Sequence, residues 1–118
     1  MSDRAAGPAR LDISSRIVDA VTVVTVRGEI DDATRGQFHD AMNSAHGEPP
    51  RIVVDLSAVP FMDSSGLSAL IATHNSVRGA GGWIRLVAPT EPVRYVMHVI
   101  SLDTLITSYP TLSLALSA

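Results

Sequence analysis

Three short runs, V-T-V-V-T-V at 21–26, I-V-V-D-L at 52–56 and W-I-R-L-V-A at 83–88, are each followed by a segment whose apolar residues recur at helical spacing. A chain that keeps switching between strand-like and helical periods buries both kinds of face most simply as an α/β domain. The first run is rich in β-branched residues and ends at Gly28. The second is broken only by Asp55 and lies between Pro50 and Pro60, as expected of a central strand covered on at least one face. The third follows the flexible stop G-A-G-G.

The intervening segments carry single apolar stripes. Phe38, Ala41, Met42 and Ala45 stand at i, i+3, i+4 and i+7 and predict a helix over 32–45. Leu67, Leu70, Ile71, His74 and Val77 share one face of a helix expected from Ser64 to Arg78. In the third helix Thr90 is a plausible N-cap, Pro92 suits the first turn, and Val93, Val96, Met97 and Ile100 form the stripe. Ahead of the first run, Leu11, Ile13, Ser15 and Ile17 alternate with Asp12, Ser14 and Arg16, the period of an edge strand that turns back through V-D-A. The tail suggests a short strand near Leu105 to Thr107 and a last helix after Pro110. The order is β-β-α-β-α-β-α with a short tail element. It predicts one domain over 11–118, a mixed β-sheet of four to five strands packed with about four helices, preceded by a disordered tail at 1–10.

Composition removes several function classes. A chain of 118 residues buries roughly two-thirds of its unfolded surface in one core and needs no staple. The absence of cysteine excludes disulfides and thiolate chemistry, and four scattered histidines do not make a structural metal site. A net charge of −3 gives no footprint for nucleic acid. No apolar run is long enough to cross a membrane and no leader is visible, so a cytoplasmic protein is expected.

The chemistry concentrates at P-F-M-D-S-S-G-L-S-A-L, residues 60–70, where a strand ends and a helix begins. Asp63 or Ser64 there can cap the helix by accepting from its free N–H groups, worth about 1 kcal/mol. A catalytic serine is the second reading, but the elbow G-x-S-x-G is absent, and His74 lies too far along the same helix to act as its base. A phosphate-binding loop fails too, since the chain has no lysine. The third reading is a phosphoacceptor: a hydroxyl in the first turn of a helix is exposed, and its phosphate would meet the positive end of the dipole. Ser65, Ser68, Ala69, Ala72 and Ser76 then form a face of small side chains, suited either to a docking partner or to a second buried contact.

These residues resemble the STAS domain family, specifically the bacterial anti-sigma factor antagonists. The likeness spans about residues 11–118. Its most specific part is R-I-V-V-D-L-S-A-V-P-F-M-D-S-S-G-L-S-A-L, supported by G-E-I-D-D-A-T at 28–34, V-A-P-T-E-P-V at 87–93 and S-Y-P-T-L at 108–112. The resemblance implies a STAS-type fold and a regulatory module that is not an enzyme and carries no cofactor. Its expected partner is both anti-sigma factor and serine kinase. The unphosphorylated protein would bind that partner and free a sigma factor, the kinase would use its own Mg-ATP to phosphorylate Ser65 and release it, and a serine phosphatase would reset the switch. Ser65 is assigned as acceptor because it directly precedes Gly66. Ser64 would shape the turn, and Asp63 would cap it. Glu29, Asp31, Asp32 and Thr34 would extend the docking surface, although Asp31 and Asp32 read equally well as a cap of the first helix. A monomer or weak dimer is expected, without nucleic acid or membrane. The alternatives are a STAS adaptor in a transporter, lipid-transfer or stress-signalling complex that works without phosphorylation and, remotely, a serine hydrolase. Two positions depart from the family: Gly36 sits early in the first helix, and Ser101 stands where many relatives have glycine.

Overall fold

The computed structural model describes residues 11–45 and 47–118, so the expected disordered tail at 1–10 lies outside the described residues. Strand β1 (Asp12–Val18) turns through Asp19 and Ala20 into β2 (Val21–Arg27), pairing antiparallel from Val18↔Val21 to Asp12↔Arg27. Both turn residues have positive φ, 52° and 66°, the hand that matches strand twist in two-residue hairpins. Helix α1 (Arg35–Asn43) returns the chain to β3 (Arg51–Ala58), parallel to β2, and α2 (Ser64–Gly79) leads to β4 (Trp83–Val87), parallel to β3. Helix α3 (Glu91–Val99) and a 3₁₀ turn at Leu102–Thr104 precede the two-residue β5 (Ser108–Tyr109), and α4 (Leu112–Ser117) closes the chain. The sheet order is β1-β2-β3-β4-β5.

Side-chain alternation explains which strands lack a polar face. Val24, Val26, Ile52, Val54, Leu56, Ile84 and Leu86 pack in one cluster with Phe38 and Met42 of α1, Leu67 and Leu70 of α2, and Val93 and Met97 of α3. Val21, Val23, Val53 and Val87 lie in a second cluster with Ala115 of α4. Both faces of β3 are therefore covered, and the expected unbroken run Ile52–Val54 is fully buried. At the edge, β1 is covered only near its ends, by Ile13 against the first cluster and Val18 against the second; Ile17, in phase with Ile13, stays exposed.

Several boundaries differ from the sequence reading. Helix α1 starts at Arg35 and not at Asp32, because residues 31–34 form a turn. On α2 the buried polar position is Thr73, while His74 is only half-buried. The late strand falls at Ser108–Tyr109 instead of 105–107, because Ile106 is drawn into the core and Thr107 offers its carbonyl to the Leu86 N–H at 3.0 Å. Ser101 adopts φ 60°, ψ 24°, the left-handed conformation glycine favours, which gives its departure from the family a physical meaning. Among the described residues no helix is long and apolar enough to cross a membrane.

Candidate functional site

After β3 the chain crosses to α2 through Val59–Asp63, and the crossing is tied down on two sides. The Thr90 hydroxyl, at the N-cap position of α3, turns away from its own helix and donates to the Val59 carbonyl at 2.7 Å. Ile30 donates its N–H to Phe61 O and accepts from Asp63 N–H, both at 3.0 Å, forming a parallel bridge opposite Met62. Ile30 and Met62 are both buried. The loop carrying G-E-I-D-D-A-T and the loop carrying D-S-S-G are thus one braced platform.

Asp63 has the extended backbone of an N-cap, and its Oδ1 accepts from Ser65 N–H at 2.8 Å. Its carbonyl takes Gly66 N–H and Leu67 N–H at 3.1 and 3.2 Å. Gly66 is buried, and a Cβ there would meet Met62 Cγ at 2.5 Å and Ile30 Cγ2 at 2.7 Å. Only glycine lets the first turn of α2 settle onto the bridge. Above this fixed backbone Ser64 is exposed and Ser65 half-exposed, and among the described residues neither hydroxyl has a hydrogen-bond partner. His74 lies about 13 Å further along the helix by its rise per residue. Among the described residues no base is hydrogen-bonded to the Ser65 hydroxyl.

The remaining predicted residues divide between surface and scaffold. Glu29 and Asp32 are exposed beside the platform. Asp31 is half-buried, and its Oδ1 accepts from Ala33 N–H at 3.0 Å, Thr34 N–H at 3.1 Å and the Thr34 hydroxyl at 3.2 Å. Thr34, expected on the docking surface, is only 1% exposed; its hydroxyl donates to Glu29 O at 2.9 Å and folds the loop from within. Ala69 is likewise 4% exposed, whereas Ser68, Ala72 and Ser76 are exposed. Ser68, Ala69 and Ala72 form one wall of a cleft whose other wall is Arg35, Gly36 and His39 of α1. Small residues there serve the approach of α1 as well as leaving an open groove. Gly36 has nothing within 4 Å of where its Cβ would stand.

One feature escaped the sequence reading. Phe61 (46% exposed), Tyr95 (69%) and Val99 (62%) surround an apolar cleft of about 340 Å³ that reaches Ser64. The available signal was Tyr95 and Val99, an i, i+4 pair lying off the buried stripe of α3.

The site is a braced turn that presents a serine at a helix start, amid acidic and apolar surface, on a small α/β domain. The chain belongs to the STAS domain family, whose model matches residues 12–115. The anti-sigma-F factor antagonist RsfB of Mycobacterium tuberculosis is 33% identical over 100 residues, covering 84% of this chain and 81% of that one. The crystal structure of an anti-sigma factor antagonist from Mycobacterium paratuberculosis matches with a TM-score of 0.81 at 35% identity, over 91% of this chain and 92% of that chain. The fold alone is shared with SpoIIAA of Bacillus in its phosphorylated form, at a TM-score of 0.67 and 19% identity over 91% and 96% of the two chains. Family membership makes the chain a regulatory binding protein and not an enzyme. Among the described residues no three His, Asp or Glu side chains group as metal ligands.

Proposed function

We propose that this chain is an anti-sigma factor antagonist whose binding is switched by phosphorylation of Ser65. The observation that carries the reading is the contrast at the start of α2, where the N–H groups of Asp63, Ser65, Gly66 and Leu67 are all hydrogen-bonded and the Ser65 hydroxyl has no partner among the described residues. The unmodified surface, with Glu29, Asp32, Ser64, Ser68, Ala72 and Ser76 outward and Asp31, Thr34, Asp63, Gly66 and Ala69 holding it from beneath, docks an anti-sigma factor that is also a serine kinase. The apolar cleft at Phe61 and Tyr95 adds a dry contact to the same surface.

In the transfer, Ser65 Oγ attacks the γ-phosphorus of the partner's Mg-ATP, the bond to ADP breaks, and the hydroxyl proton passes to a base on the kinase. The product gains about −1.5 to −2 charges beside Glu29 and Asp32. Like charge at a desolvated contact costs several kcal/mol, so the complex separates. A phosphate at a helix N-terminus is favourable for the helix, and the shared fold of phosphorylated SpoIIAA supports a switch that leaves the domain folded. A serine phosphatase returns the hydroxyl.

The test is intact mass after incubation with anti-sigma factor kinases and Mg-ATP. One added phosphate is expected on wild type and none on Ser65→Ala. Ser65→Asp should keep its circular dichroism spectrum and bind at least about 100-fold more weakly. A partner that binds wild type but never phosphorylates it would leave the adaptor reading in place of the switch.

A further inference from the structure

The opposite end of α2 opens on a second cleft, of about 390 Å³, within the ~300–1,000 Å³ span of small-molecule sites. It exists because β5 is short: it pairs only with Leu86 and Val87, so the outer edge of β4 is bare from Trp83 to Arg85. His74 and Arg78 enter from the last turns of α2, Trp83 and Arg85 from β4, and Thr107 and Tyr109 from the segment around β5. Among the described residues no carboxylate lines the cleft and neither guanidinium is in an ion pair. This cationic concavity runs against a net charge of −3 for the chain.

Arg85 is held in place. Its guanidinium lies 3.6 Å from the centroid of the Trp83 ring, and one Nη donates to Ala115 O at 2.9 Å. Most of its five N–H donors remain for a ligand. The backbone adds another. Leu86 donates its N–H across the edge to Thr107, and Ile84, two residues earlier and of the same parity, turns its N–H to the bare edge. Arg78 offsets the partial negative charge of the helix C-terminus. Each arginine has a structural use, one at the end of α2 and one on α4, but those uses do not require both to face a single acid-free cleft.

We propose that this cleft binds a small oligoanion of the phosphate class, with Arg85 as the fixed fork, Arg78 as the second cation and Thr107 as a hydroxyl donor. The site is independent of the switch at Ser65.

The test is ¹H–¹⁵N NMR of the full chain titrated with inorganic pyrophosphate at constant ionic strength. The chain has one tryptophan, so its indole N–H gives one reporter inside the cleft. Saturable shifts are expected at the Trp83 indole and at the Ile84 and Thr107 amides. Arg78→Gln should raise Kd about tenfold or more, the loss expected when a charged hydrogen bond is removed. Arg85→Gln should abolish saturation; if it also loosens α4, the exposed Arg78 variant decides alone. Orthophosphate should bind more weakly than pyrophosphate. Shifts that never saturate, shifts centred on Ser64–Gly66, equal binding of citrate, or an unchanged Kd in Arg78→Gln would each overturn the assignment.

Discussion

At its first turn α2 rests on Ile30 and Met62 with no room for a side chain at Gly66, whereas nearer its other end Thr73 buries a hydroxyl that has no hydrogen-bond partner among the described residues. The front is capped by the Asp63 side chain; the rear ends without a side-chain cap, closed by Gly81 N–H to Arg78 O and Gly82 N–H to Val77 O. The same helix is therefore locked sterically under the candidate acceptor and carries a buried, unsatisfied polar group further along. A partner that must read one oxygen gains from a backbone ordered before it arrives. Gly66→Ala and Thr73→Val should consequently move stability in opposite directions.

The largest effect is expected from Gly66→Ala. A methyl overlapping Ile30 and Met62 forces either the bridge or the helix start to move, and overpacking of this kind costs about 1–3 kcal/mol. Urea unfolding should show a lower midpoint at unchanged slope. Partner binding should weaken beyond what the loss of fold explains, because Ser65 moves with the turn. An unchanged midpoint would mean that the front of α2 is no tighter than the rear. Next comes Asp63→Ala, which removes the cap on Ser65 N–H and should lower stability by about 1 kcal/mol.

The elements that follow a clear period were legible. β2, β3, α2 and α3 lie where the apolar runs and stripes put them, and Asp63 caps α2 as its position suggested. What stayed hidden depends on contacts between irregular segments. The Ile30–Met62 bridge joins two loops distant in sequence, and neither loop has a period to reveal it. Thr34 looked like surface because polar side chains that bond to nearby backbone leave no pattern, whereas Asp31, which read equally well as a cap, does accept the Ala33 and Thr34 N–H groups ahead of α1. Ala69 looked free because most of α2 away from its stripe is small, so composition could not say where α1 would lie. The change from His74 to Thr73 is a single step around the helix, about 100°, within the width of one apolar face. Phe61, Tyr95 and Val99 converge only because α3 lies beside the crossing into α2.

Thr73 supplies the contrary test. Thr73→Val replaces a buried, unpaired hydroxyl with a methyl of similar shape, and should stabilise by somewhat under 1 kcal/mol, visible as a higher melting temperature. A loss would show that Thr73 holds a water or a strained contact, and that the rear is as closely specified as the front. The smallest effect belongs to Arg78→Gln. Arg78 is exposed in the last turn, where a cation at the helix C-terminus contributes about 0.3–1 kcal/mol at low ionic strength and less in salt. The variant should melt within a few degrees of wild type, and the gap should close as salt is added. That small, screened cost separates a residue that decorates the helix end from Gly66, whose cost comes from steric overlap and stays constant with salt.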